Sequence, residues 1–483
     1  MADLKPAETN PWYVLSTLHG PQTGNGIDRE LAAKNVALWN IWSCQNLTDE
    51  QREKLREAGT ELPDIAAWEE QKEEIETLYK KRFSEMGIGD DERPEIPDAG
   101  LQIDMSGTVF SHIALWTKAI FSQKANFNFS MFARNGSFDF ATFSREADFE
   151  STKFSKDSSF NHATFSGRTN FYNAKFAHSG SFSNATFYQY ADFSFARFSQ
   201  HVHFIGASFL QDAHFESTMF LSSSVFSSAR FMQAVYFLSV EFSQSANFIK
   251  VQFSGLSSFQ GSHFGNEAKP ENSYIVTFSD TIFERPTSFR DACFRYRYPE
   301  LNGTVFHDKT QFTAERVFWP QDNQPNPKQA KESCATLRHV MGKQGLPEDE
   351  YFFFRKEMEF AGEIGGFWRT RPVKAYGVFS DYGASIAKPL VGLGSLWLFC
   401  SLVYMVAFNW PGAVAPEFVP AGKGFGFSIA NMVKFLGFQR TYYAEVIQNI
   451  PNWMQFMSAV QTTFAYVLVF FLGLGLRSRF RLR

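Results

Sequence analysis

Phenylalanine recurs at every eleventh residue from Phe110 to Phe264, at 110, 121, 132, 143, 154, 165, 176, 187, 198, 209, 220, 231, 242, 253 and 264, without a slip. A second series runs from Phe127 to Phe259 at the same interval, with Trp116 ahead of it, and the two series alternate at spacings of five and six. A large ring at fixed intervals needs the same surroundings each time, so the backbone must repeat its geometry at that interval. An eleven-residue period can wind a right-handed coiled coil. The residues between the rings exclude this: they are mostly Ser, Thr, Asn, Asp and Gly, poor in helix interiors and favoured in turns. One long strand would place side chains with period two. A coil of short bridges and frequent corners remains.

The residue two before each ring supports this. It is Ala147 before Phe149, Ala163 before Phe165, Ala174 before Phe176, Ala185 before Phe187 and Ala191 before Phe193. Two residues apart on extended backbone, side chains share a face. Each bridge therefore sends one large and one small group inward. The expected core ladder includes Phe149, Phe154, Phe160, Phe165, Phe171, Phe176, Phe182, Phe187, Phe193 and Phe198.

Units of the form AxFxxAxF, in stretches such as FSREADFESTKF (143–154), resemble the pentapeptide-repeat family in its phenylalanine-rich 5+6 form. The resemblance implies a right-handed quadrilateral β-helix with two eleven-residue units per coil. Phe110 to Phe264 then makes seven coils, a rod of about 34 Å at roughly 4.8 Å per coil. The rhythm breaks at GNEAKPENSY and resumes at Phe278, Phe283, Phe289, Phe294, Phe306 and Phe312, which adds about two coils. The expected fold class is a mainly β repeat solenoid with flanking α-helices and a C-terminal two-helix transmembrane hairpin.

The flanks read differently. Residues 27–86 carry helical patterns, with Thr48 and Gln51 spaced as a capping box. DDERPEIPDAG, 90–100, reads as a linker. Residues 326–363 read as two helices around a Gly342–Pro347 turn, with Phe354, Met358 and Ala361 on one face of the second. The expected division is 1–100 helical, 101–320 β-helix, 321–385 cytoplasmic helical linker and 386–483 membrane domain. The N-terminus has no apolar signal-peptide run, so the first 385 residues are expected to stay where they are made.

Residues 389–408 and 453–476 carry no charge and are long enough to cross a hydrocarbon core. Arg369, Arg371, Lys374 and Lys388 precede the first run, and Arg477, Arg479, Arg481 and Arg483 follow the second. Between the runs, Lys423, Lys434 and Arg440 are opposed by Glu417 and Glu445. The cation excess predicts both termini in the cytoplasm and 409–452 on the far side. The expected location is a bacterial-type inner membrane, with the lipid bilayer as one partner.

The intervening GFGFSIANMVKFLGF, 424–438, is itself apolar. A span, a short apolar helix and a second span resemble the two-helix pore module of potassium-type channels, in which the short helix re-enters the membrane. The counterpart of that family's filter is Phe435-Leu436-Gly437-Phe438, which lacks the threonine and the second glycine. The resemblance therefore implies a non-selective or degenerate pore. Candidates to line it are Phe427, Asn431, Lys434, Phe435, Gly437, Gln455, Gln461 and Thr462. SDYGASIAKP, 380–389, resembles the junction of membrane-attached pentapeptide-repeat proteins, with a helix start near Ser385.

No catalytic constellation, metal set or cofactor loop is expected. The four cysteines, 44, 293, 334 and 400, form no CxxC pair, and no G-x-S-x-G or H-E-x-x-H occurs. His162, His178, His201, His203, His214 and His263 occupy outward positions with no completing ligands. Some pentapeptide-repeat proteins imitate a DNA duplex, which needs a strongly negative rod. Residues 110–264 carry nine acidic and eleven basic side chains, so no nucleic-acid role is expected. Phe129, Phe140 and Phe195 lie outside both ring series, and Tyr188 and Tyr190 between them, as an outward docking patch for a protein partner. Two functions remain. One is a membrane-anchored, non-enzymatic scaffold. The other is a subunit of a homo-oligomeric, channel-like assembly, tetrameric if it conducts, with the β-helix as sensor or assembly domain.

Overall fold

The computed structural model describes residues 4–24, 26–265, 274–321, 324–410 and 423–480. Most of the insertion GNEAKPENSY and the residues Glu417, Arg481 and Arg483 lie outside the described residues, as do the side chains of Lys423 and Arg479. The chain forms two compact units, Met1–Phe353 and Phe354–Arg483.

The first unit is built on a parallel β-solenoid of nine turns. Its strands are mostly two residues long and form four sheets, of ten, ten, eight and eight strands. Face 1 runs from Ile103–Asp104 to Gln311–Phe312, and face 2 from Thr108–Phe110 to Cys293–Phe294. Face 3 runs from Ala114–Leu115 to Val276–Thr277, and face 4 from Ile120–Phe121 to Ile282–Phe283. Up to the insertion pairing is in register at 22 residues, so Phe154 lies beside Phe176 and Ala147 beside Thr169; across it the interval is 30, as from Ala246 to Val276.

The alternation of five and six follows from two kinds of corner. In the five-residue corner, Ser130 N–H donates to Phe127 O at 3.2 Å and Phe129 has φ 58°. That is a type II turn, whose third residue needs positive φ. The same corner recurs at Phe140, Ser151, His162, Asn173, Asn184 and Phe195, and glycine takes the place at Gly206 and Gly261. The fourth residue of each corner tucks inward and must be small. Where it is threonine, its hydroxyl donates to a carbonyl one coil earlier, as Thr152 does to Phe127 O at 2.7 Å. The six-residue corner instead brings coils close together. At Gly167 a β-carbon would strike the Arg145–Glu146 peptide.

All ten rings of the expected ladder, Phe149 to Phe198, are fully buried. Rings one coil apart stack in parallel, as Phe149 and Phe171 do at 2°, with centroids 4.8 Å apart, wider than ring planes in contact and so offset. Rings of neighbouring columns meet edge to face, as Phe149 and Phe160 do at 5.5 Å and 85°. Both geometries are favourable for aromatic quadrupoles, and the stacking distance equals the strand spacing.

Both ends of the solenoid are covered. Lys5–Pro6 adds a strand to face 2 beside Thr108–Val109. Helices α1 (Pro11–Ser16), α2 (Arg29–Cys44), α3 (Asp49–Glu57) and α4 (Ala67–Glu85) follow, and α3 begins with the Thr48–Gln51 capping box. Asn40 of α2 accepts from Ile120 N–H at 2.7 Å and donates to Lys118 O at 2.9 Å. Those backbone groups are the ones a preceding coil would have paired. At the other end Trp319 stacks on Phe294 at 5.1 Å. Helix α5 (Pro327–Lys343) adds a bond from Ser333 Oγ to Pro299 O at 2.6 Å. Helix α6 (Pro347–Ala361) carries the chain onward. Covered ends leave no open edge for another chain to extend.

The second unit contains α7 (Phe367–Ser380), α8 (Ala387–Asn409), α9 (Lys423–Met432), α10 (Phe438–Tyr442), α11 (Ala444–Asn449) and α12 (Asn452–Phe480). Helices α8 and α12 are long and apolar enough to cross a membrane, and only 22% and 28% of their most apolar stretches are buried. A core helix of a soluble protein would be mostly covered. Among the described residues of α12 those buried are Met454, Ser458, Gln461, Thr462, Ala465, Leu468 and Gly475, a single stripe. Helix α9 packs against both α8 and α12. Gly424 permits the crossing, because a β-carbon there would strike the Ser401 carbonyl.

Candidate functional site

Ser458, Gln461 and Thr462 of the second span are gathered into one buried cluster. Gln461 donates to Ser428 Oγ at 2.7 Å and accepts from Asn431 Nδ2 at 3.4 Å. Gln439 donates to Asn431 Oδ1 at 2.7 Å and to Ser458 Oγ at 3.3 Å. Thr462 Oγ1 donates to the carbonyls of Asn431, at 3.0 Å, and Ser458, at 2.8 Å. The cluster ties α9 and α10 to α12 where few other polar partners exist.

The candidate pore residues therefore separate. Asn431, Gln461 and Thr462 come together in the cluster. Phe427 is fully buried in an aromatic core with Tyr404 at 4.9 Å, Phe408 at 5.7 Å and Tyr443 at 5.6 Å. Lys434 and Phe435 are exposed, on a single 3-10 turn after α9. Gly437 ends that turn with φ 82°. Gln455 is half-buried and donates to Ile450 O at 3.1 Å. Ser428, Gln439 and Ser458 were not singled out from sequence. Ser458 had a signal: it lies three and four residues before Gln461 and Thr462, on one face of an otherwise apolar helix.

The SDYGAS string has a physical account. Asp381 and Tyr382 are consecutive left-handed residues, φ 53° and 56°, that turn the chain between α7 and α8. Asp381 accepts from Arg355 at 2.9 Å and lies 3.5 Å from Lys388. Ser380 Oγ accepts from Gly383 N–H at 3.2 Å and donates to Tyr376 O at 2.8 Å. Gly377 and Gly383 leave room for Tyr382 and Tyr376: an added β-carbon would lie 2.6 Å from the Tyr382 ring at the first and 2.7 Å from the Tyr376 hydroxyl at the second. The elbow needs both glycines for that reason.

On the solenoid, the outward aromatics do not form one patch. Phe129 and Phe195 share the corner from face 1 to face 2, three coils apart. Phe140 is on the corner from face 3 to face 4, and Tyr188 and Tyr190 on the corner from face 4 to face 1. Tyr172, next to the first corner's column, meets Phe195 at 5.4 Å. Tyr190 is half-buried, bonded to Asp192 at 3.2 Å and faced by Arg168 at 5.2 Å, and burial pushes its phenol up to about 12. Phe140 stacks on His162 at 4.6 Å. Both rings line a groove of about 1080 Å³ between faces 3 and 4 and the α2 and 58–61 segments. Glu61 and Lys118 pair across it at 3.4 Å. His162, His178, His201 and His263 are exposed, His203 and His214 half-exposed. Among the described residues no group of three or more His, Cys, Asp or Glu is placed to hold a metal ion.

Residues 226–269 match the family described as Pentapeptide repeats (9 copies). No curated protein and no solved structure matches the chain. The matched stretch covers the ring series from Phe226 to Phe264 and runs five residues beyond it, and the same corners and stacked columns continue on its N-terminal side as far as Phe110. The chain thus carries a pentapeptide-repeat β-solenoid domain, followed by two apolar C-terminal helices consistent with membrane spans.

Proposed function

We propose that the chain is a membrane-anchored, non-enzymatic scaffold whose solenoid serves as a cytoplasmic protein-interaction module. The observation that carries this reading is the closed polar cluster of the second unit. Polar groups in a span usually face protein or a water-filled path. Here Asn431, Gln439, Ser458, Gln461 and Thr462 find partners within one chain. Arg369, Arg371, Lys374 and Lys388 flank α8 on its N-terminal side, which favours a cytoplasmic solenoid. The groove beside Phe140 and His162 offers a concave surface of the solenoid to a protein partner.

A second reading, a subunit of a ring-shaped channel, draws on α9. It packs between two spans and is followed by an exposed Lys434 and Phe435. Oligomeric state in nanodiscs and current across planar bilayers separate the two. The scaffold reading expects a monomer or dimer without conductance. A tetramer whose reversal potential shifts toward cations in Lys434→Glu would replace it with the channel.

A further inference from the structure

Helix α7 has the outer surface of neither a soluble helix nor a span. Phe367, Trp368, Val378 and Phe379 are exposed, Trp368 to 88%. Arg371 and Lys374 stand among them, since Phe367, Arg371, Lys374 and Val378 follow one another along one side of the helix. Arg371 lies over the Phe367 ring at 4.7 Å. Among the described residues no carboxylate is within ion-pair reach of Arg369, Arg371 or Lys374. The nearest acidic residue on the elbow, Asp381, is already engaged by Arg355 and Lys388.

The position of α7 supplies a second observation. Its Tyr376 stacks on Phe471 at 5.5 Å and Phe379 lies 6.5 Å from the same ring. Phe471 is in the last turns of α12, just before Arg477. A β-carbon on Gly475 would lie 3.1 Å from Ser385 O, so the start of α8 and the end of α12 share a level. Helix α7 therefore packs at the end of the hairpin where its apolar length gives way to Lys388 and Arg477.

We propose that α7 is an interfacial helix that docks on the headgroup layer of an anionic bilayer leaflet. Its aromatic and aliphatic side chains enter the acyl boundary, and Arg369, Arg371 and Lys374 reach lipid phosphates, their stems running along the apolar surface. The proposal rests on reading α8 and α12 as spans.

The test uses the full native chain in nanodiscs of phosphatidylcholine, alone or with phosphatidylglycerol at about 30%. Trypsin cleavage after Arg369 and Lys374 (the bond after Arg371 is to Pro372 and resists trypsin) is followed by mass spectrometry and normalised to cleavage after Lys54 and Arg56 on α3. Cleavage about tenfold slower in the phosphatidylglycerol discs is expected from the added attraction of three cations to an anionic surface. Equal rates in the two discs overturn the proposal, including equally slow ones, which would mean that protein covers the helix. A proteinase K digest of the same discs reports on the spans separately. If 389–408 and 453–476 survive while the tryptic rates are equal, only the α7 proposal fails; if both runs are digested, the membrane reading fails with it. As a second measurement, lipid retained by detergent-purified protein should be enriched in phosphatidylglycerol, and Arg369→Gln/Arg371→Gln/Lys374→Gln should lose the enrichment. Equal retention by variant and wild type would also overturn the assignment.

Discussion

Trp39 donates its indole N–H to the carbonyl of Ile120 at 3.0 Å and lays its ring 5.5 Å from Phe121. One side chain of α2 thus satisfies the backbone of the first coil and closes its phenylalanine column. Trp39→Ala should cost about 3–5 kcal/mol, as large buried aromatics do. It should also bare a parallel edge, so light scattering should show the variant self-associating at concentrations where wild type does not. A variant as stable and dispersed as wild type would mean that the cap is dispensable.

Phe182 and Phe195 test the inward and outward registers against each other. Phe182 is fully buried and stacks on Phe204 at 4.9 Å and 5°. Phe182→Ala should lose about 3–5 kcal/mol of stability. Phe195 is 51% exposed and has φ 59°. Phe195→Gly relieves a left-handed side chain while losing the Tyr172 contact, so its net effect should stay within about 1 kcal/mol. Equal losses in denaturant titrations would contradict the registers.

Gln461→Leu removes the donor to Ser428 and the acceptor for Asn431. Interhelical hydrogen bonds within membranes contribute about 0.6–1.7 kcal/mol. A loss in that range is expected in a detergent-unfolding assay; Ser428→Ala shares the Gln461–Ser428 bond but also loses the one from Ser428 Oγ to Trp397 O, so the double variant should lose less than the sum of the two single losses. Strict additivity of the two would indicate that the side chains do not meet.

Cys44 is buried, and burial pushes its thiol up to about 12. Reactivity follows the thiolate, whose share rises with pH toward that value. In the folded chain at pH 8, Cys44 should therefore resist iodoacetamide and react only on unfolding. The half-exposed Cys293, also shifted upward by burial, should be alkylated before it. Fast labelling of Cys44 in the native state would place the α2 cap in an open form.

The ring ladder was legible because each ring repeats one environment, so a single pattern stands for some thirty contacts of the same kind. The corners were legible as far as their small inward residues. Their alternation was visible as five and six, but its cause, a left-handed residue such as Phe129 or Asn173, is a backbone property with no fixed residue type. The distribution of the outward aromatics follows from phase. Phe129 and Phe195 differ by three whole coils, whereas Phe129 and Phe140 differ by half of one. Gln461 and Thr462 stood out as polar residues in an apolar run. Gln439, which joins the cluster through Asn431 and Ser458, did not, because only the packing of α10 on α9 and α12 brings it near. Asn40 and Ile120 were equally hidden, since a cap is chosen by tertiary fit and leaves no periodic trace.

The corner repeats after eleven residues, but the circuit closes only after 22. Gain or loss of 22 residues lengthens or shortens the rod and leaves every column intact. Gain or loss of eleven keeps the ring series unbroken yet sets face 1 over face 3, so the last coil ends half a circuit out of phase. Trp319 and α5, held to that last coil through Phe294 and Pro299, would turn with it. An even number of added units thus keeps the bearing of that cap on α2 at the other end and an odd number reverses it, which gives the solenoid a parity as well as a length.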